Sequence, residues 1–365
     1  MDPVCVADFE RLAESRLEPG AFGYYAGGAA DELALAGNVA AWESLRLRPR
    51  VLVDVAEITT ATTVLGTPVS MPLLVAPTAI QKLAHPDGEP GMAKAAAAAG
   101  TLMCLSTLAT ATPEEVAAAA PGAPRWFQLY VFRDRGVTRA FVEQAAEHGY
   151  GAIVLTVDAP RLGRRERDLR TGFRVPEEIT VPSMAALGGW EGATPLELLG
   201  SIDPSLTWND LEELRSLSSL PLVLKGIQTA EDAELACAHG ADAIVVSNHG
   251  GRQLDDVAST AELLPEVVGA VAGRMEVYVD GGIRRGSDVV KALALGARAV
   301  LAGRAPLWGL ACAGEAGVAR VLQLLRDEIE LALALCGCTS PEDVSAAHVS
   351  AAQGYGQSPY PRQDP

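Results

Sequence analysis

Eight short apolar runs constrain this chain more than any other feature. They lie at residues 72–76, 102–105, 126–130, 152–157, 222–225, 243–246, 276–279 and 299–302, and each ends in a cluster of polar or glycine residues. Alanine-rich helical patterns at 114–119, 138–147, 230–238, 260–272 and 287–295 stand between them. Continuous apolar strands that alternate with helices predict a parallel sheet covered on both faces, since each parallel crossover needs a connection long enough to hold a helix. Eight such units predict an α/β fold, a single (β/α)8 TIM barrel. The 365 residues can supply one such core.

The chain is therefore expected to be one domain, 1–365, built in three parts. Residues 1–50 read as an N-terminal helical extension, with amphipathic helices at 9–17 and 31–45 that cap the bottom or side of the barrel. The barrel itself occupies 51–348. Within it, the stretch 161–220 follows the fourth strand, is long for one connection, and carries Pro176, Pro182, Gly188-Gly189, Pro195 and Pro204. Such a loop is expected to lie over the site as a lid. The tail, 349–365, is rich in Gln, Gly, Ser, Tyr and Pro and is expected to be disordered.

Charge excludes several partners. With 46 acidic against 29 basic residues and a net charge of −17, the surface should repel nucleic acid and anionic membrane. The uncharged stretch 95–112 has membrane length, but its Ala, Thr, Ser and Gly read as a helix end, Gly100 and a strand. Six cysteines form no disulfide framework, and Cys336-Gly337-Cys338 is too close for a CxxC metal pair, so reduced thiols, a cytoplasmic protein and no metal site are expected. Neither terminus reads as a targeting signal.

In a barrel of this kind the functional groups come from the C-terminal ends of the strands. Those ends carry Pro77-Thr78-Ala79, Ser106-Thr107, Gln128-Leu129-Tyr130, Thr156-Val157-Asp158, Lys225-Gly226, Ser247 to Asp255, Asp280-Gly281-Gly282-Ile283-Arg284 and Gly303-Arg304. The sixth is the most telling. His249 can act as a base near neutrality, and Arg252 can hold a carboxylate in a two-point grip, equipment suited to oxidising a 2-hydroxy acid. Taken alone, that couple would more simply be a histidine satisfied in a turn beside a surface arginine. Arg161-Leu162-Gly163-Arg164-Arg165, after the fourth strand, supplies a further cation for the same anion.

The seventh and eighth ends carry the phosphate signature, in which Gly281 and Gly282 admit an anion to the backbone while Arg284, Gly303 and Arg304 add donors and charge. A Rossmann GxGxxG after an early strand is absent, which argues against a nicotinamide site there. Lys225 would be buried and needs an anionic partner. Either a carboxylate such as Asp158 or Asp280, or the N1 region of a reduced flavin, could serve. Tyr24, Tyr25 and Tyr130, taken singly, read as packing residues.

At these motifs, together with Tyr24-Tyr25-Ala26-Gly27-Gly28 and Ala76-Pro77-Thr78-Ala79, the chain resembles the FMN-dependent L-2-hydroxy acid oxidase and dehydrogenase family from about Phe9 to His348. The resemblance implies FMN as cofactor and His249 as the base that takes the substrate hydroxyl proton, oriented by Asp158. It implies that Arg165 and Arg252 bind the substrate carboxylate, that Tyr24 and Tyr130 hydrogen-bond the substrate, and that Lys225 faces the flavin N1 region. Around the cofactor it places Pro77, Thr78, Ala79, Ser106, Gln128, Thr156 and Lys225 near the ring, with Asp280, Gly281, Gly282, Arg284, Gly303 and Arg304 toward ribityl and phosphate. It further implies a homotetramer.

One position departs from the glycolate oxidase pattern: Leu108 stands where those enzymes carry a tryptophan over the substrate, so acids larger than glycolate are expected to fit. Ala79 and the lack of a fused haem domain favour dioxygen as acceptor, with hydrogen peroxide as product, over a dehydrogenase that passes electrons to a quinone or protein. Glu191 and Glu197 within 187–202 disfavour the apolar anchor of membrane-bound relatives. A scaffold that keeps FMN without chemistry would be expected to lack His249 or Arg252, and both are present.

Overall fold

A computed structural model describes residues 2–185 and 195–351. The N-terminal part runs through α1 (Val6–Arg16), α2 (Pro19–Ala26), α3 (Leu33–Ser44), β1 (Leu45–Leu47) and a hairpin of β2 (Thr62–Val64) and β3 (Thr67–Val69). The barrel's first half is β4 (Leu73–Val75), α4 (Gly88–Ala98), β5 (Met103–Leu105), α5 (Pro113–Ala119), β6 (Arg125–Leu129), α6 (Arg135–Glu147) and β7 (Ile153–Thr156). Among the described residues four short helices follow, α7 (Glu166–Thr171), α8 (Pro182–Ala185), α9 (Pro195–Gly200) and α10 (Asp210–Ser216). The second half is β8 (Leu222–Ile227), α11 (Ala230–Ala238), β9 (Ala243–Val246), α12 (Thr260–Val271), β10 (Glu276–Asp280), α13 (Gly286–Ala294), β11 (Ala299–Ala302) and α14 (Arg304–Cys336), which kinks at Ala313-Gly314, after which β12 (Val349–Ala351) ends the described chain.

Strands β4 to β11 close on themselves in parallel, in chain order, as the (β/α)8 barrel expected. The physical cause is the double burial anticipated from the apolar runs. Alternate residues, among them Leu74, Cys104, Trp126, Val154, Val223, Val245, Tyr278 and Leu301, fill the interior. Their neighbours Val75, Leu105, Phe127, Leu155, Leu224, Val246, Val279 and Val300 pack against the helices. Each buried Leu or Val side chain contributes about 1.5–3 kcal/mol relative to exposure. Several helices start on side-chain caps: Thr112 with Glu115 and Ser259 with Glu262 form capping boxes, and Thr229 and Asp134 each accept a backbone N–H of the first turn.

The N-terminal part follows expectation in α1, which packs against α14 on the side of the barrel, and departs from it elsewhere. The bottom of the barrel is closed by the β2–β3 hairpin, whose Val64 and Val69 join the interior cluster and whose Leu65 N–H donates to Glu276 at the start of β10. Helices α2 and α3 sit instead at the opposite, functional end, where Trp42 Nε1 donates to Gly281 O at 2.8 Å. The tail also differs: Val349–Ala351 is a strand paired with Leu45–Leu47, because the exposed edge of β1 offers it a ladder. Residues 352–365 and 186–194, including Gly188-Gly189 and Glu191, lie outside the described residues. Among the described residues no helix is long and apolar enough to cross a membrane.

Candidate active site

The interior alternation that builds the core also builds the site. Continued by twos, Cys104 leads to Ser106, Trp126 to Gln128 and Tyr130, Val154 to Thr156 and Asp158, Val223 to Lys225, Val245 to Ser247 and His249, Tyr278 to Asp280, and Leu301 to Gly303. All the site residues expected from the sequence line one cavity, except Asp158, which stands behind His249.

His249 Nδ1 lies 2.8 Å from Asp158 Oδ1, which leaves Nε2 as the free acceptor of a neutral imidazole. Burial, reinforced by Lys225 and Arg165, holds His249 below its ordinary range against the opposing pull of Asp158. Burial alone would raise Asp158, but His249 and Lys225 keep it ionised and below the usual carboxylate range. His249 itself has φ 59°, a left-handed conformation uncommon for a residue with a side chain. Gly226 makes room for the pair: at φ +114° it has no Cβ, and a Cβ there would stand 2.7 Å from Asp158 Cβ and 2.9 Å from Asp158 N.

Lys225 is buried 3.2 Å from Asp280 Oδ2, and it donates to Ser247 Oγ at 3.0 Å. The internal ion pair therefore exists, with Asp280 rather than Asp158 as its partner. Burial would lower this ammonium, but Asp280 and then Asp158 raise it above its ordinary value. Two of its three donors are used. Burial pushes the Tyr130 phenol up to about 12, so it acts as a donor at neutral pH.

Two guanidiniums converge on one aromatic ring. Arg252 Cζ lies 5.1 Å and Arg165 Cζ 5.9 Å from the Tyr24 ring centroid. Arg252 is anchored through Nη1 to Tyr24 O and Gly27 O, at 2.7 and 2.9 Å. Burial and the adjacent Arg165 lower Arg252 to about 10. Buried like charges of this kind call for an anionic ligand, and Arg165 Nε is buried without a hydrogen-bond partner among the described residues.

The phosphate end is shaped less simply than the sequence suggested. Gly282 has φ +81°, and a Cβ there would stand 2.3 Å from Asn38 O, so this glycine serves the close approach of α3 as well as the anion. Arg304 spends three of its five N–H groups on Tyr25 O, Gly250 O and Gly27 O, so it fastens the N-terminal loop while also lining the cavity. Arg284 has Ile283 O as a hydrogen-bond partner, and Glu10 stands 4.0 Å away. The first turn of α14 opens beside Gly303, an additional site for negative charge.

The wall fits a flavin mononucleotide. Gln128 Nε2, Thr156 Oγ1 and Asp280 Oδ1 are buried without hydrogen-bond partners among the described residues, which is costly unless a ligand completes them. An isoalloxazine edge alternates N–H and C=O groups, a ribityl chain offers hydroxyls to Asp280, and a phosphate suits Arg284, Arg304 and the α14 N-terminus.

Sequence reasoning missed several contributors. Tyr25, Leu162, Gln253 and Ile283 line the cavity, as does Leu199 of α9, which brings the segment after β7 over the site. Gln253 ties the two arginine-bearing loops, donating to Asp158 O and Arg161 O and accepting from Gly163 N. Asn38 and Asn248 exchange amide hydrogen bonds of 2.8 and 2.9 Å, and Asp255 accepts the N–H groups of Asp31, Leu33 and Ala34. Asn248 beside His249, and Leu254-Asp255 further on, carry no local signal for these long-range partners.

Fold and site together fit a flavin-binding oxidoreductase, with a buried His249–Asp158 pair and two converging arginines beside one cavity. The chain matches the FMN-dependent dehydrogenase family over residues 13–351. It is 50% identical over 355 residues to an L-lactate oxidase from Nostoc sp., covering 94% of this chain and 97% of that one. It is 49% identical over 357 residues to the glycolate oxidase of Spinacia oleracea, covering 96% of each. A mandelate oxidase variant with (S)-mandelic acid superposes with a TM-score of 0.88 at 43% identity, covering 96% of this chain and 98% of that one. The protein belongs to the FMN-dependent dehydrogenase family and uses FMN.

Proposed function

We propose that the protein oxidises an L-2-hydroxy acid to the 2-oxo acid, with dioxygen as acceptor and hydrogen peroxide as product. The observation that carries this reading is the His249–Asp158 pair at 2.8 Å beside the same cavity as Arg165 and Arg252. The names of the relatives, lactate, glycolate and mandelate oxidases, support both the substrate class and the acceptor.

Bound FMN supplies the two-electron acceptor for the α-hydrogen. The chain's own residues do the rest. Arg252 and Arg165 bind the substrate carboxylate, and Tyr24 and Tyr130 donate to its oxygens. His249 Nε2 takes the hydroxyl proton, and Asp158 stabilises the imidazolium that results. Gln128, Thr156, Lys225 and Asp280 would hold the ring and ribityl chain, with Arg284 and Arg304 at the phosphate. Leu108, buried on the cavity wall, leaves room for an α-substituent larger than hydrogen. The same proposal takes the protein to be a cytoplasmic homotetramer.

Oxygen uptake in an electrode, with peroxide and 2-oxo acid measured together, tests the acceptor. One peroxide per 2-oxo acid is expected. Turnover that needs an added quinone or dye, with no oxygen uptake, would overturn the oxidase reading in favour of a dehydrogenase.

A further inference from the structure

Glu89 is a fully buried carboxylate to which the proposed chemistry gives no role. It sits in the first turn of α4, where the helix N-terminus favours negative charge. A buried carboxyl is expensive and persists only when hydrogen bonds compensate it. Here they come from two different loops. Oε1 accepts the N–H of Gln81 at 3.0 Å, in the loop after β4, and the N–H of Thr110 at 2.8 Å, in the loop after β5. Oε2 accepts the Thr110 hydroxyl, and Thr110 Oγ1 in turn accepts the N–H of Lys82 at 3.1 Å.

These two loops carry Ala79 and Leu108 to the cavity wall. Between them stands Ile80, a β-branched residue at φ 60°, where only a well-determined surrounding keeps it. Its N–H donates to Leu108 O at 3.0 Å, and its carbonyl accepts the Tyr25 hydroxyl at 2.6 Å. The Gln81 bond to Glu89 is the next link of the same turn. Without it, the left-handed turn loses one of the constraints that oppose its relaxation, and Leu108 is tied to that turn directly.

We propose that Glu89 is a positioning residue that joins the two loops into one unit and so sets which 2-hydroxy acids the cavity prefers, through the placement of Leu108. This rests on the 2-hydroxy acid reading above. Glu89→Ala removes the three bonds that Glu89 itself accepts, from Gln81 N, Thr110 N and the Thr110 hydroxyl. Glu89→Gln keeps an oxygen for the two backbone N–H groups and an amide N–H for Thr110 Oγ1, and so should rescue.

Two readouts on the FMN-loaded protein decide it: amide hydrogen exchange in segments 77–83 and 107–112, and the ratio of kcat/KM for 2-hydroxyoctanoate over glycolate. In Glu89→Ala, exchange in both segments should quicken and the ratio should change by about tenfold, since sub-ångström misplacement beside a substrate costs that much. Glu89→Gln should stay within about twofold of wild type in both. Unchanged exchange, or an equal fall for all acids with the ratio fixed, overturns the proposal. Where Glu89→Ala does not fold, Thr110→Val, which keeps volume and loses the hydroxyl, must move both readouts the same way. Wild-type values in Thr110→Val then refute the proposal. A wild-type protein inert to every 2-hydroxy acid refutes the functional reading instead, and the exchange comparison still decides whether Glu89 joins the loops.

Discussion

Asp158→Asn isolates a single charge at the centre of the site. The replacement keeps the shape and an acceptor 2.8 Å from His249 Nδ1, and removes the negative charge that stabilises an imidazolium. With an effective dielectric constant near 20, two full charges at that separation interact by about 6 kcal/mol, which is a ceiling. The imidazolium is only partly formed at the barrier, and a hydrogen bond to a charged group is worth about 1.5–3 kcal/mol net. A loss of about 2–4 kcal/mol follows, which is a rate decrease of roughly 30- to 1000-fold. Stopped-flow reduction of bound FMN under anaerobic conditions measures it directly. The pH profile gives an independent sign. His249 must be neutral to act, so activity is lost as pH falls through its pKa, which lies below the ordinary imidazole value. Asp158 is the neighbour that raises that pKa, while burial, Lys225 and Arg165 lower it, so Asp158→Asn should move the acid limb to still lower pH. A reduction rate within about threefold of wild type, or an acid limb displaced upward, would refute the assigned role.

Gly226→Ala places a Cβ 2.7 Å from Asp158 Cβ, which must retreat to at least 3.4 Å, a move of about 0.7 Å. With backbone strain of about 1–3 kcal/mol at φ +114°, the melting temperature should drop by several degrees and flavin reduction by about 100-fold; an unchanged Tm and rate would contradict the packing. Arg252→Lys loses the planar grip and the bonds to Tyr24 O and Gly27 O, so kcat/KM should fall by about 100-fold with FMN retained, and an unaltered constant would show that the clamp lies elsewhere. Leu108→Trp should reverse a preference for longer acids over glycolate, since each buried methylene is worth about 0.8 kcal/mol and one or two amount to roughly tenfold. A wild type that already prefers glycolate would show that another residue closes the pocket.

The barrel was legible because parallel strands announce themselves as unbroken apolar runs, and the strands at 243–246 and 299–302 match those runs residue for residue. The site was legible for a related reason: period-two alternation leads from Val245 to His249 and from Val154 to Asp158 without tertiary information. Helix α2 was not, since Pro19–Ala26 mixes two glycines and three aromatics with no helical period, yet it carries Tyr24 and Tyr25 to the cavity. The placement of α3 over the site depends on Asn38 meeting Asn248, 210 residues away, and Glu89 finds its partners only when two loops close over it. Such pairings are properties of the folded contacts and leave no local pattern. Strand β12 was hidden for the same reason, because its composition is that of a loop and its ladder is supplied by β1.

Anaerobic bleaching of the flavin band decides whether the His249 site passes the α-hydrogen of an L-2-hydroxy acid to FMN. The purified yellow protein is mixed anaerobically with L- and D-forms of lactate, 2-hydroxyoctanoate and mandelate, alongside glycolate, and the flavin band is followed in wild type and in His249→Ala. The band should bleach with at least one L-acid and stay intact with the D-forms, and His249→Ala should keep the band but bleach roughly 10²–10⁴-fold more slowly. A wild-type band untouched by every acid, or bleaching that survives His249→Ala at full rate, would contradict that transfer.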